Sequence, residues 1–195
     1  MKKRSMKKIS ELMEAAAGGA LPVVRGIDDS RLGGPTPCAE YDVRALISHL
    51  SQVVVNFTAL AAREEAEFGE TPDAVTGDWR DRFGAQTAAL VDAWARPGAE
   101  EGTAGAMGFP ARTVGHMVLG DLTVHAWDLA RATGQEFVPD ADVVDELAPA
   151  MAAMAPKARE AKVFGEPFPV PEGASPFARV LALTGRDPDW RPARG

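Results

Sequence analysis

Cysteine is almost absent from these 195 residues, histidine occurs three times, and strand-like alternation of apolar and polar residues is scarce. Each shortage excludes something. With Cys38 alone, no internal disulfide can form and no cluster of thiolates can hold zinc, and a reducing cytoplasm is the expected compartment. Absence of any run approaching the ~18 consecutive apolar residues of a membrane span argues against a membrane partner. The scarcity of alternating runs bounded by turn residues argues against sheets and leaves an all-α fold as the expectation.

What is present fits one core. The chain is 46% hydrophobic and 25% charged, which suits one domain spanning residues 1–195. The net charge of −7 understates the acidity of the body, because Lys2, Lys3, Arg4, Lys7 and Lys8 crowd the start. An acidic body does not suit a nucleic-acid partner. The basic start is not followed by the unbroken apolar core of an export signal, since "ISELMEAAAGGALPVV" carries two glutamates. Residues 1–8 therefore read as a ragged basic terminus.

Helical periodicity organises the rest. A first helix is predicted over about 6–26, with Pro22 kinking or dividing it. Asp42 is a good N-cap for a second helix reaching about Glu65, on which Leu46, Leu50, Val53, Phe57 and Leu60 form one apolar stripe. A third helix is expected over about 78–96, stopped by Pro97 and Gly98. Pro110 should open the fourth in its first turn, and Gly134 should close it. A fifth runs from Pro139 and Asp140 to about Ala161. Residues 162–195 read as an extended, proline-rich tail holding one short helix from about Ser175.

The fourth helix raises the functional question. At roughly 100° per residue, Asp121 falls with Val114, Val118, His125, Leu129 and Ala132 on one stripe, and His116 falls on the opposite face. An aspartate aimed into an apolar stripe costs several kcal/mol unless it is paired or coordinated. His49 lies at the edge of the second helix's stripe, so His49, Asp121 and His125 all aim inward. Two imidazoles and a carboxylate suit zinc or a similar divalent ion and leave a fourth position open, as catalytic sites do. The other reading stands beside it: Asp121 and His125 as a plain buried ion pair, and His49 as a core histidine bonded to a carbonyl. Asp128, one turn beyond His125, either orients that ring or pairs with Arg131 or Arg186. Cys38 reads as an inert thiol and Trp127 as packing under the C-terminal segment, while Glu64, Glu65, Glu100 and Glu101 look like solvated surface.

"PTPCAEYDVRALISHL", "DLTVHAWDLARATGQ" and "LALTGRDPDW" together resemble the metal-binding domain of mycothiol-dependent maleylpyruvate isomerases, a branch of the DinB-like superfamily. The resemblance runs from about Gly26 onward. It implies a DinB-like four-helix bundle with an extra C-terminal helix and a proline-rich C-terminal segment. It also implies a divalent metal, usually zinc with nickel as the alternative, on His49, Asp121 and His125. The family pattern often has glutamate where this chain has Asp121, which shifts an ion by about one methylene length. The isomerases proper are expected to carry a further C-terminal domain, so the chain is similar to stand-alone members with unassigned substrates.

The implied chemistry is a transferase or isomerase in which the metal activates the thiolate of a low-molecular-weight thiol, mycothiol, toward a small-molecule electrophile. A metal-dependent hydrolase and a non-catalytic metal-binding or dimeric interaction bundle are the alternatives, and a homodimer is compatible with either.

Overall fold

The computed structural model describes residues 7–192. Six α-helices account for most of them: α1 (Ile9–Arg25), α2 (Val43–Ala61), α3 (Trp79–Ala95), α4 (Ala111–Thr133), α5 (Ala141–Glu160) and α6 (Pro176–Leu183). α1 and α2 each pack against both α3 and α4, which makes the four-helix bundle. α5 lies along α4 and α1, and α6 lies on α5. The one sheet among the described residues is a two-stranded hairpin, β1 (Thr103–Ala104) with β2 (Phe109–Pro110), in the loop before α4.

The ends of the helices have local causes. The Asp42 carboxylate accepts the N–H of Ala45 at 2.8 Å, Asp140 accepts those of Asp142 and Val143, and Ser175 accepts that of Ala178. Each satisfies N–H groups that a first turn leaves without partners. Gly134 closes α4 at φ 74°, a left-handed conformation that glycine adopts without a Cβ clash.

Four expectations need correction. α2 stops at Ala61 rather than near Glu65, because Arg63 turns left-handed at φ 62° and its guanidinium reaches the carbonyls of Gly98, Ala99 and Glu101. Pro110 is the N-cap of α4 and ends β2, so it stands just outside the first turn. Pro22 does not divide α1, which runs unbroken to Arg25. Glu100 is not solvated surface: it accepts the N–H of Ile9 at 2.9 Å and pairs with Arg112, tying the hairpin loop to the start of α1 and to α4. Of the basic terminus, residues 1–6 lie outside the described residues. Lys7 pairs with Asp142 on α5, which ties the end of that segment down.

α2 has no long unbroken apolar run, yet at 19 residues and mean hydropathy 1.2 it is, by length and composition only, long and apolar enough to cross a membrane. Its apolar surface is used otherwise here. Leu46, Leu50, Val53, Phe57 and Leu60 are all buried in the bundle, each contributing on the order of 1.5–3 kcal/mol. α4 is covered on nearly every side, with sixteen buried residues including His125, Trp127 and Asp128. Its approach to α1 depends on Gly115, where a Cβ would meet Ile9 at 2.8 Å.

Candidate metal centre

His49 and Asp121 reach His125 from two helices. α4 sets Asp121 and His125 one turn apart on one face, and α2, packed against α4, adds His49. One ligand atom from each of the three lies within 4.8 Å of the others. The His49 and His125 rings meet edge to face, with centroids 5.2 Å apart. His125 Nε2 stands 3.6 Å from Asp121 Oδ1. That distance is beyond a good hydrogen bond.

The other side of the His125 ring is fixed. Its Nδ1 lies 2.9 Å from Asp128 Oδ2. Asp128 is fully buried and also accepts from Arg186, with Nη2 at 3.0 Å from the same oxygen. Arg186 is locked in turn by donating Nη1 to the carbonyl of Thr184 at 3.0 Å. The two options for Asp128, orienting His125 and pairing with an arginine, are thus realised together. Arg131 takes no part; it donates to the carbonyl of Trp190 and lies over the Trp127 ring.

Electrostatics separates the groups. Burial, aided by the neighbouring His125 and Arg186, pushes the His49 pKa down to about 4, so its imidazole is neutral at pH 7. Burial raises the Asp121 carboxyl above its ordinary value, against the pull of His125 and Arg186, although 34% of the side chain remains accessible.

Cys38 completes a second grouping with His125 and Asp128. It is a poorer donor set. Burial pushes the Cys38 thiol up to about 11, outweighing the opposing effect of Arg186, and Asp128 is already engaged by His125 and Arg186. His116 sits elsewhere on α4, bonded to Glu146 of α5 at 2.8 Å.

The sequence reading did not single out Tyr41. Its ring stacks on His49 with centroids 5.0 Å apart and planes 17° from parallel. Its place immediately before the Asp42 cap, on a loop with no period, left no pattern to read.

The family model of the mycothiol maleylpyruvate isomerase N-terminal domain matches residues 14–130. The chain belongs to this family. The match contains His49, Asp121, His125 and Asp128, while Arg186 lies beyond it. Among relatives, uncharacterized proteins of two Mycobacterium tuberculosis strains are each 32% identical over 166 residues, 80% of this chain and 85% of theirs. The crystal structure of the mycothiol-dependent maleylpyruvate isomerase shares the fold at TM-score 0.60 and 18% identity, covering 93% of this chain and 89% of that one.

Whether this family member's residues suit a divalent ion can be judged from the donors. Two ligand atoms about 2.0–2.1 Å from a tetrahedral zinc stand roughly 3.4 Å apart, close to the 3.6 Å between His125 Nε2 and Asp121 Oδ1. His49 is neutral, as a ligating imidazole must be. The carboxylate on the far nitrogen of His125 is the usual support of a ligating histidine. The donor set fits.

Proposed function

We propose that the protein binds one divalent metal ion, most simply zinc, through His49, Asp121 and His125, and uses it with mycothiol to transfer the thiol to, or isomerise, a small-molecule electrophile. One observation carries this reading. Three potential ligand atoms lie within 4.8 Å of one another, and the hydrogen bond that orients His125 goes from its other ring nitrogen to Asp128. The family match supplies the thiol: the domain is named for mycothiol and maleylpyruvate isomerisation.

A divalent ion there supplies Lewis acidity, which lowers a bound thiol's pKa so that the thiolate forms near neutrality. The chain's own groups do the rest. His49 offers a neutral nitrogen without first having to lose a proton. Asp128 and Arg186 hold the His125 ring so that Nε2 cannot turn away. Asp121 brings the negative charge that makes the site prefer a cation. Cys38 stays protonated beside the site and does not compete with an incoming thiolate. No protein nucleophile is required.

Metal analysis of the purified protein should give about one divalent ion per chain, with loss in His125→Ala. Incubated with mycothiol and a panel of electrophiles, the metal-loaded parent should consume thiol or isomerise substrate, and His125→Ala should not. Equal metal in both proteins would refute the site. Metal loss that simply unfolds the chain, with no turnover by the loaded parent, would instead mark the ion as structural.

A further inference from the structure

His125 and His49 are held in different ways. A ligating histidine ordinarily donates its second ring nitrogen to a carboxylate or carbonyl, which fixes the ring's rotation. His125 has this support in Asp128. His49 makes no hydrogen bond to protein among the described residues, and its ring is contacted by Tyr41 on a face and by the His125 ring edge-on.

The placement of Tyr41 is itself well determined. Its N–H donates to the carbonyl of Cys38 at 2.9 Å, and its carbonyl accepts from the buried Thr36 hydroxyl at 2.8 Å. Val43 N–H donates to Gly34, which closes the loop at its base. The ring packs against the edge of the core. Tyr41 is only half-buried, and it walls a cavity of about 480 Å³ with Thr36, Glu40 and Trp190. Its phenolic oxygen makes no hydrogen bond to protein among the described residues, so the ring meets the site through its face.

From this we infer that Tyr41 is a positioning residue: its ring, stacked on His49, holds that imidazole in the orientation needed to ligate the ion, in place of the hydrogen bond His49 lacks. The inference rests on the metal reading above. Its chemistry is aromatic, so the ring matters and the hydroxyl does not. Tyr41→Phe should therefore behave as the parent, whereas Tyr41→Leu, which fills space without a stacking face, and Tyr41→Ala should not.

The experiment is Co²⁺ titration of the metal-free full-length protein, following the d–d absorption bands, with folding of each variant checked by circular dichroism. The parent and Tyr41→Phe should bind within about twofold of each other and give the same spectrum. Tyr41→Leu and Tyr41→Ala should bind on the order of 10- to 100-fold more weakly, as loss of an orienting partner does, with a changed band shape. Folded Tyr41→Leu with the parent's affinity and spectrum would overturn the role of Tyr41 and leave the metal site standing. So would equal weakening in Tyr41→Phe and Tyr41→Leu, which would make the hydroxyl responsible. A parent that binds no Co²⁺ would overturn the metal reading and this inference with it. If Tyr41→Ala fails to fold, the Phe and Leu pair decides alone.

Discussion

α4 carries two histidine clusters, and they differ in what they leave unused. Near its start, His116 bonds Glu146, Glu146 also takes Arg112, and Arg112 pairs with Glu100 and donates to the carbonyl of Lys7. Glu100 accepts from Ile9. That network sews α1, the hairpin loop, α4 and α5 together, and it is closed. Two turns and more along the same helix, His125, Asp128 and Arg186 form an equally tight set, but Nε2 of His125, the Asp121 carboxylate and the His49 ring face one another without a good hydrogen bond among them. Both clusters hold a histidine, carboxylates and an arginine. Residue types alone do not distinguish the two clusters; the donor atoms left without a good hydrogen bond do.

The largest expected contrast lies in the two arginines. Arg186→Met strands the fully buried Asp128 charge and should cost about 3 kcal/mol or more in urea denaturation. Arg112→Met acts on groups that keep 21–24% of their side-chain surface and should cost about 1 kcal/mol or less. Equal losses would mean that the two clusters are alike.

Next comes Asp121→Asn. Burial raises the Asp121 pKa, so a negative charge at this position is a cost to the metal-free fold. In metal-free protein the substitution should stabilise by up to about 1 kcal/mol, reduced by the exposure of the side chain, while metal binding weakens. Destabilisation of the metal-free protein by this change would show that Asp121 is an ordinary ion-pair partner.

The smallest effect is in pH. His49 has its pKa depressed from 6.5 to about 4 by burial and by the neighbouring His125 and Arg186. Between those values the unfolded chain binds more protons than the fold. Its contribution to stability is therefore complete above about pH 6.5 and is lost as pH falls toward 4. In metal-free protein, His49→Gln should flatten the slope of stability across that window. An unchanged slope would assign it to other groups.

The helices were legible because their signals are local. Asp42, Asp140, Ser175 and Gly134 act within three residues of themselves, and the apolar stripe of α2 repeats at helical spacing. The inward set of His49, Asp121 and His125 could be drawn from two such stripes. Partners that depend on long-range docking could not. Arg186 reaches Asp128 across 58 residues of chain, and only the packed structure chooses it over Arg131, which has the ring of Trp127 and the carbonyl of Trp190 instead. The hairpin at 103–110 hid in a glycine-rich stretch without period, and Glu100 looked like surface because its partner Ile9 is 91 residues away. Trp127 falls off the inner stripe of α4 and reads as packing under the C-terminal segment; it is buried, in keeping with a helix enclosed on nearly every side.

Arg186 also gives the site a place in time. It follows α6, so while the chain is being made, α2 and α4 emerge and can pack well before the guanidinium that compensates Asp128 exists. The support of His125 is thus completed by a residue translated 58 positions after Asp128, and the two halves of that cluster meet only once α5 and α6 have been made.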